Sequence, residues 1–394
     1  MNGVQTISLG EIMAKKSGSV DPSKFPDEVF DLYSIPAFDS RQPEIVAGKL
    51  IGSTKQIVEP ADVLLSKIVP HIRRSWVVGE KQGRRIIASG EWIVFRSEKI
   101  YPNYLRHVLV SDPFHLKFMS TVSGVGGSLL RARPTFVEKI KIPLPPLEEQ
   151  KRIADILDRA EALRAKRRAA IAQLDELTQS IFIDMFGGHA MKEWPMTTIA
   201  NLVHPTEGSI RTGPFGSQLL HSEFVNEGIA VLGIDNAVAN EFQWGTRRFI
   251  NEAKYKELKR YTVRPGDVLI TIMGTCGRCA VVPDDISTAI NTKHLCCITL
   301  NQEKCIPKYL HAYFLRHPIA QRYLAQTAKG AIMAGLNMGI IKEMPIPLPP
   351  LPLQKEFARR VESINKIKEE YKASLAELDE LFASLQYRAF RGEL

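Results

Sequence analysis

The stretch IPLPPLEEQKRIADIL begins at Ile142, and IPLPPLPLQKEFARRV begins at Ile346. A helix cannot run through the paired prolines Pro145-Pro146 or Pro349-Pro350, but it can start immediately after them. Glu148 and Glu149 then occupy the positive end of the first helix dipole. Shifted by 204 positions, the chain matches itself without a gap from Ile142 to Phe186 against Ile346 to Phe390. Gln150-Lys151 meets Gln354-Lys355, Leu174-Asp-Glu-Leu177 meets Leu378-Asp-Glu-Leu381, and Ser180 meets Ser384. Loops tolerate insertions, so two shared ends at a fixed spacing point to a rigid helix between them.

Upstream the match weakens and moves to an offset of 205. PADVLLSKI (60–68) faces PGDVLITIM (265–273), PNYL (102–105) faces PKYL (307–310), and SDP ending at Pro113 faces RHP ending at Pro318. The repeat is therefore a whole unit, an α/β (α+β) domain followed by a long helix, twice. In the first helix Ile153, Ala160, Leu174 and Ile181 keep a heptad row that Arg167 interrupts, beside Ile156, Leu163, Ala170 and Leu177. The second carries Phe357, Ile364, Tyr371, Leu378 and Leu385 beside Ile367, Ser374 and Leu381. Two such rows predict an a/d seam along which the helices pack antiparallel as a coiled coil. Gly187-Gly188 and Gly392 close the copies. A helix of about 35 residues at ~1.5 Å per residue spans roughly 50 Å, which makes a stiff rod between two globular domains. The expected organisation is a domain over 1–146, a helix over 147–188, a domain over 189–350 and a helix over 351–394.

Length and composition bound the function. A chain of 394 residues with 44% apolar and 24% charged residues is an ordinary globular protein large enough for two domains. No apolar run reaches the ~18 residues of a membrane span, and the start MNGVQTISLGEIMAKK lacks the pattern of a signal peptide. All five cysteines fall between Cys276 and Cys305, an odd clustered set unlike a disulfide framework, so a reducing cytoplasm is expected. The net charge of +9 favours polyanionic partners without demanding them.

Catalytic patterns are missing from the sequence. It holds no GxxxxGK[ST] loop, no Asn/Asp-Pro-Pro-aromatic tetrapeptide, no HExxH and no GxSxG. SGVGGS (123–128) lacks the strand–turn–helix setting of a nucleotide loop. CGRC (276–279) with Cys296, Cys297 and Cys305 lacks two well-spaced pairs for zinc, and neighbours on a strand point to opposite faces. These cysteines read as core and turn residues. His189, His204 and His221 are isolated, without metal spacing. No metal and no cofactor is expected on this chain.

Polar, basic loops remain, and they recur in both domains. The first has HIRRS (71–75), KQGRR (81–85), ASGEW (88–92) and LLRARP (129–134). The second has SIRTGPFGSQ (209–218), GIDNA (233–237), TRR (246–248), GTCGR (274–278) and NTKH (291–294). Arg and Lys suit phosphates and guanine edges, Asn and Gln suit adenine edges, and glycine lets the backbone approach a ligand closely.

Together, the duplicated IPLPPLEEQ and IPLPPLPLQ openers and the helices ending LDELTQSIF and LDELFASLQYRAFRGEL resemble the specificity subunits of type I restriction–modification systems. GPFGSQL (213–219) and PGDVLITIMGTCGRCAVV (265–282) add the look of a target recognition domain, and the resemblance covers essentially the whole chain. It implies a non-catalytic DNA-recognition subunit in which each domain reads one half of a bipartite, asymmetric site. The paired helices would set the spacer and dock two modification (methyltransferase) subunits, through Ile153, Ile156, Leu163, Leu174, Leu177, Ile181, Phe357, Ile364, Ile367, Leu378, Leu381 and Leu385. S-adenosylmethionine, ATP and Mg would reside on those partners and on the restriction (translocase/nuclease) subunits. Candidate DNA contacts are Arg73, Arg74, Arg84, Arg85, Arg211, Asn236, Arg247, Arg248, Arg278, Asn291, Lys293 and His294. The first domain has no clear GPFGS counterpart, and its ASGEW stands where the second has NTKH, so the halves should read different sequences. The other readings are a coiled-coil interaction protein or RNA-binding adaptor, and a nuclease with dispersed carboxylates. On the leading reading, four residues inserted into the middle of one helix change the spacer between half-sites and leave both half-sites intact. Mapping methylated bases for the insertion variant checks this, and altered half-site sequences would defeat it.

Overall fold

The computed structural model describes residues 5–14, 18–124, 130–188, 193–327 and 336–394. Residues 125–128 of the SGVGGS loop, Leu129 of LLRARP and His189 lie outside the described residues. The chain divides into two compact units, Met1–Arg168 with Ala373–Leu394, and Ala169–Lys372. The division falls within both long helices, Leu147–Phe186 and Leu351–Ala389, so each unit holds one globular domain and part of each helix.

The two units are built alike. In the first, strand Thr6–Ser8 pairs antiparallel with Lys141–Pro143, and in the second Met196–Thr198 pairs with Pro345–Pro347. Each opener is thus a short edge strand, where proline is tolerated, and then a helix that starts after Pro-Pro. Strand Val63–Ser66 lies between Ser75–Val77 and Trp92–Phe95, and Val268–Thr271 lies between Cys279–Val281 and Leu295–Ile298. A second sheet in each unit holds one parallel pair, Val29–Tyr33 with Arg85–Ala88 and Ile229–Leu232 with Ala289–Asn291. The mixed pairing explains why the domains read as α+β.

One glutamine fastens each helix to its domain. The Gln150 side chain accepts from Tyr101 N (2.7 Å) and donates to Lys99 O (3.2 Å) and Pro145 O (2.8 Å). Gln354 repeats the set with Ile306 N (2.9 Å), Lys304 O (3.1 Å) and Pro349 O (2.8 Å). Nearby, Tyr104 Oη donates to Pro143 O and Tyr309 Oη to Pro347 O. Both glutamines are buried, so every bond is made away from competing water.

Aromatic packing fills the cores. Tyr33, Phe38, Trp76 and Trp92 cluster between the sheets of the first unit, with Trp92 Nε1 donating to Tyr33 O. Phe182 and Phe186 of the first long helix meet Tyr309 and Phe357 in the second unit. The cysteines behave as small core residues there. Cys279, Cys296 and Cys305 share one core, and Cys297 faces another from the opposite side of its strand. Burial pushes the Cys296 and Cys305 thiols up to about 12, so both stay protonated at neutral pH.

In each unit the helix segments run antiparallel, but the seam differs from the a/d expectation. Ile153, Leu157 and Ala160 are buried in the core that also takes Phe382, Leu385 and Ala389. The buried set steps by four and three from Ile153, whereas Leu163, Leu177, Ile367 and Leu381 of the second heptad row are 42% to 53% exposed. The first heptad row is the covered one, with Ile153, Ala160, Phe357 and Ile364 buried, because the domains pack against that face of each helix. Midway the contact is ionic: Asp379 pairs with Arg164 and Arg168 in the first unit, and Lys368 with Asp175 (2.8 Å) in the second.

Gln354→Ala strips three buried backbone groups of their partner and should destabilise the second unit by about 2–4 kcal/mol. A lowered denaturation midpoint in urea checks it, and an unchanged midpoint would refute the clamp.

Candidate nucleic-acid interface

At the end of strand Val63–Ser66 the chain is held from both sides. Ser66 N donates to Arg74 O (3.0 Å) and Lys67 N to Glu91 O (3.0 Å). At the end of Val268–Thr271, Thr271 N donates to Arg278 O (2.9 Å) and Ile272 N to His294 O (2.9 Å). Arg74 and Glu91 in the first unit therefore correspond to Arg278 and His294 in the second. The turns that carry Glu91 and His294 hang from the parallel strands in the same way, through Ser89 N to Tyr33 O (3.0 Å) and Thr292 N to Leu232 O (2.9 Å). Both lie beyond the carboxyl ends of a parallel pair, where open α/β sheets present their binding loops.

The second unit gathers four of its candidate loops here. A Cβ on Gly213 of GPFGS would collide with the backbone of Asn291 and Thr292, so only glycine permits that approach. A Cβ on Gly233 of GIDNA would collide with Arg248, which pairs with Asp235. The His294 imidazole is pushed below its usual range by burial, then by Lys293 and Arg248 nearby. Arg247 lies over the exposed Trp244 ring, 5.2 Å from its centroid, and Arg278 is exposed on the glycine turn 274–278.

Three candidate contacts are corrected by their burial. The Arg211 side chain is 10% exposed and bonds Asp267 Oδ2 (2.6 Å), Thr262 O (2.6 Å) and Thr299 Oγ1 (2.9 Å). It neutralises a carboxylate that is itself 1% exposed. Asn236 accepts from Gly233 N and donates to Gln243 O within its own loop. Asn291 is fully buried and donates to Leu295 O (3.1 Å). These three are engaged within the domain and present little side-chain surface to a duplex.

In the first unit Arg84 pairs with Asp31 (2.6 Å), Arg85 with Glu28, and Arg73 with Asp112 (2.6 Å) and Val110 O. Arg84 and Arg85 sit at the start of strand Arg85–Ala88, the end away from the Ser89–Glu91 turn. Arg74 differs from all of them: its Nε and Nη1 are buried with no hydrogen-bond partner among the described residues. Sequence reading missed Glu91, Lys67 and Arg131, which meet here, with Arg131 Nη2 3.3 Å from Glu91 Oε1 and Lys67 Nζ 4.0 Å from Glu91 Oε2. It also missed Arg96, which bonds Asp62 as Arg211 bonds Asp267. The repeated P-x-D-V-L segment was the available signal for both aspartates.

Among the described residues, the only grouping of metal-binding side chains is His107, Asp158 and Glu161. Arg106 already bridges Asp158 (2.7 Å) and Glu161 (2.8 Å), and His107 Nε2 lies 2.7 Å from Asp158 Oδ1, so both carboxylates have protein partners. No described helix is long and apolar enough to cross a membrane.

Known proteins were compared with this geometry in view. The family described as "Type I restriction modification DNA specificity domain" matches residues 1–173 and 226–378. The chain is 27% identical over 286 residues to the type I restriction enzyme EcoBI specificity subunit of Escherichia coli, covering 64% of this chain and 58% of that one. With the EcoKI specificity subunit of Escherichia coli strain K12 it shares 27% over 329 residues, 76% of this chain and 68% of the other. In fold it is similar to the crystal structure of the type I restriction–modification S subunit from M. genitalium, at 12% identity and a TM-score of 0.60 over 99% and 97% of the two chains.

Arg211→Ala should cost about 3–5 kcal/mol by leaving buried Asp267 without its cation, whereas Arg278→Ala should leave stability within about 0.5 kcal/mol. Paired denaturation curves check the contrast, and equal losses would undo the assignment of Arg211 to the fold.

Proposed function

Since the chain belongs to the type I restriction–modification DNA specificity family, we propose that it is the subunit that reads DNA for such a complex, one half-site per domain. The observation that carries this reading is the repeated strand end. Two domains with different loops present an arginine and a neighbouring turn at the same backbone position, Arg74 with Ser89–Glu91 and Arg278 with Thr292–His294. A duplicated scaffold with divergent side chains suits a bipartite, asymmetric target. Arg247 supplies charge for phosphates, and the net charge of +9 favours approach to a polyanion.

Exposed apolar residues give each unit helix surface for docking a modification subunit, Leu163 and Leu381 in the first and Leu177 and Ile367 in the second. Bond-making chemistry then belongs to the partners: S-adenosylmethionine on the methyltransferase subunits, ATP and Mg on the restriction subunits. Such a complex works on chromosomal DNA in the cytoplasm, and this chain supplies the address.

The test is a base-resolution methylation map of the host with the gene present, deleted and replaced. One gapped, two-part motif should lose methylation on deletion and regain it on complementation. Leu381→Glu should erase the same motif while leaving the purified chain's melting midpoint unchanged. An unaltered map on deletion would count against the reading.

A further inference from the structure

The two strand ends allow the half-sites to be compared residue by residue. Glu91 and His294 both offer their carbonyl to the residue that follows the central strand, and both sit on turns closed by the same backbone bonds, Trp92 N to Ser89 O and Leu295 N to Thr292 O, each 3.1 Å. Arg74 and Arg278 lie across the same strand end in both units. One side of the ledge is thus constant, an arginine, and the other changes from a carboxylate to an imidazole beside Lys293.

Glu91 is placed with care for a surface carboxylate. Arg131 and Lys67 flank it, and its side chain keeps 29% of its surface exposed. A negative group on a surface that meets phosphates weakens binding unless it accepts a hydrogen bond from the duplex. In the major groove only the exocyclic amino groups of cytosine and adenine can donate one to a carboxylate. Arg74 lies across the same strand end, and an arginine and a carboxylate on one ledge suit a base pair with both an acceptor and an amino group on its groove edge. At the matching place in the second unit, Lys293 and His294 suit acceptor atoms of a purine edge.

We propose that Arg74 with Glu91, and Arg278 with His294, are corresponding base-reading pairs, and that Glu91 makes the first half-site demand an amino-bearing base, cytosine or adenine, at one position. This rests on the reading of the chain as a DNA-recognition subunit. Glu91 acts as a specificity determinant, and Lys67 and Arg131 position its carboxylate.

The experiment is methylation mapping of the intact complex in the host, with Glu91→Gln and His294→Gln in turn. Glu91→Gln keeps shape and removes the charge, so discrimination at one first-half position should fall on the order of tenfold, with the second half-site and spacer unchanged. His294→Gln should relax one second-half position only. A triple variant, Ser89→Thr, Gly90→Lys and Glu91→His, installs the second unit's turn and should change the preferred base at that same first-half position. It decides the matter if Glu91→Gln abolishes methylation outright. An unchanged motif in these variants, with or without an even fall in methylation at every site, would overturn the proposal and leave Glu91 as a partner of Lys67 and Arg131. A wild-type map with no two-part motif would instead sink the DNA-recognition reading itself.

Discussion

Everything in each unit is referred to one buried glutamine amide. Gln150 and Gln354 stand four residues after the second proline of the Pro-Pro step, one turn into a helix whose start the prolines dictate. Each closes three hydrogen bonds that join the helix, its opener and the loop leading into helix Pro102–Val110 or Pro307–Arg316. An amide is suited to this because it accepts and donates at once, and no charge has to be buried. The domain and the long helix are then joined by the same set of bonds in both units, and loops can diverge without disturbing that joint.

A second shared constraint lies just before the central strand of each unit. Asp62 and Asp267 are both buried and each accepts from a backbone N–H three residues before it, Glu59 N (2.8 Å) and Arg264 N (2.9 Å). The cation that meets them is drawn from different strands: Arg96 follows Trp92–Phe95 in the first unit, whereas Arg211 lies on Ile210–Thr212 in the second. Thr299, at the place of Arg96, bonds Asp267 as well (2.6 Å). An unpaired buried carboxylate is too costly to keep, so where one strand carries Thr299 in place of an arginine another strand supplies Arg211.

That exchange shows why the site was only partly legible in the sequence. The repeat was readable because rigid helices forbid insertions, so Ile142 to Phe186 and Ile346 to Phe390 stayed in step. Cysteine placement was readable from alternation along a strand, as Cys296 and Cys297 illustrate. Arg211, Asn236 and Asn291 were not, since an arginine or asparagine in a glycine-rich loop looks the same whether it faces solvent or an aspartate 56 residues away. Nor was the helix seam: Leu163 and Ile367 fit the heptad rows as well as Ile153 and Ile364 do, and only the domain packed on one face decides which row is covered. Glu91 was passed over because an isolated acid in a basic region reads as a solvated charge until its strand-end position is known.

The division between what repeats and what varies follows from where the free energy is held. Buried amides, the Asp–Arg pairs and the aromatic cores carry the stability, and none of them depends on the residue at the tip of the 89–91 or 292–294 turn. Those tips are fastened by backbone bonds, Ser89 N to Tyr33 O and Thr292 N to Leu232 O, and by bonds from Gln56 to Ser89 O and from Glu91 N to Ser89 Oγ, none of which uses the side chain of residue 91 or 294. A change from Glu91 to a histidine therefore alters the chemistry offered to a ligand while leaving the frame that offers it. A scaffold of this kind can acquire a new preference in one half by substitution at a turn, because the price of the joint, the core and the buried charge has been met elsewhere in the chain.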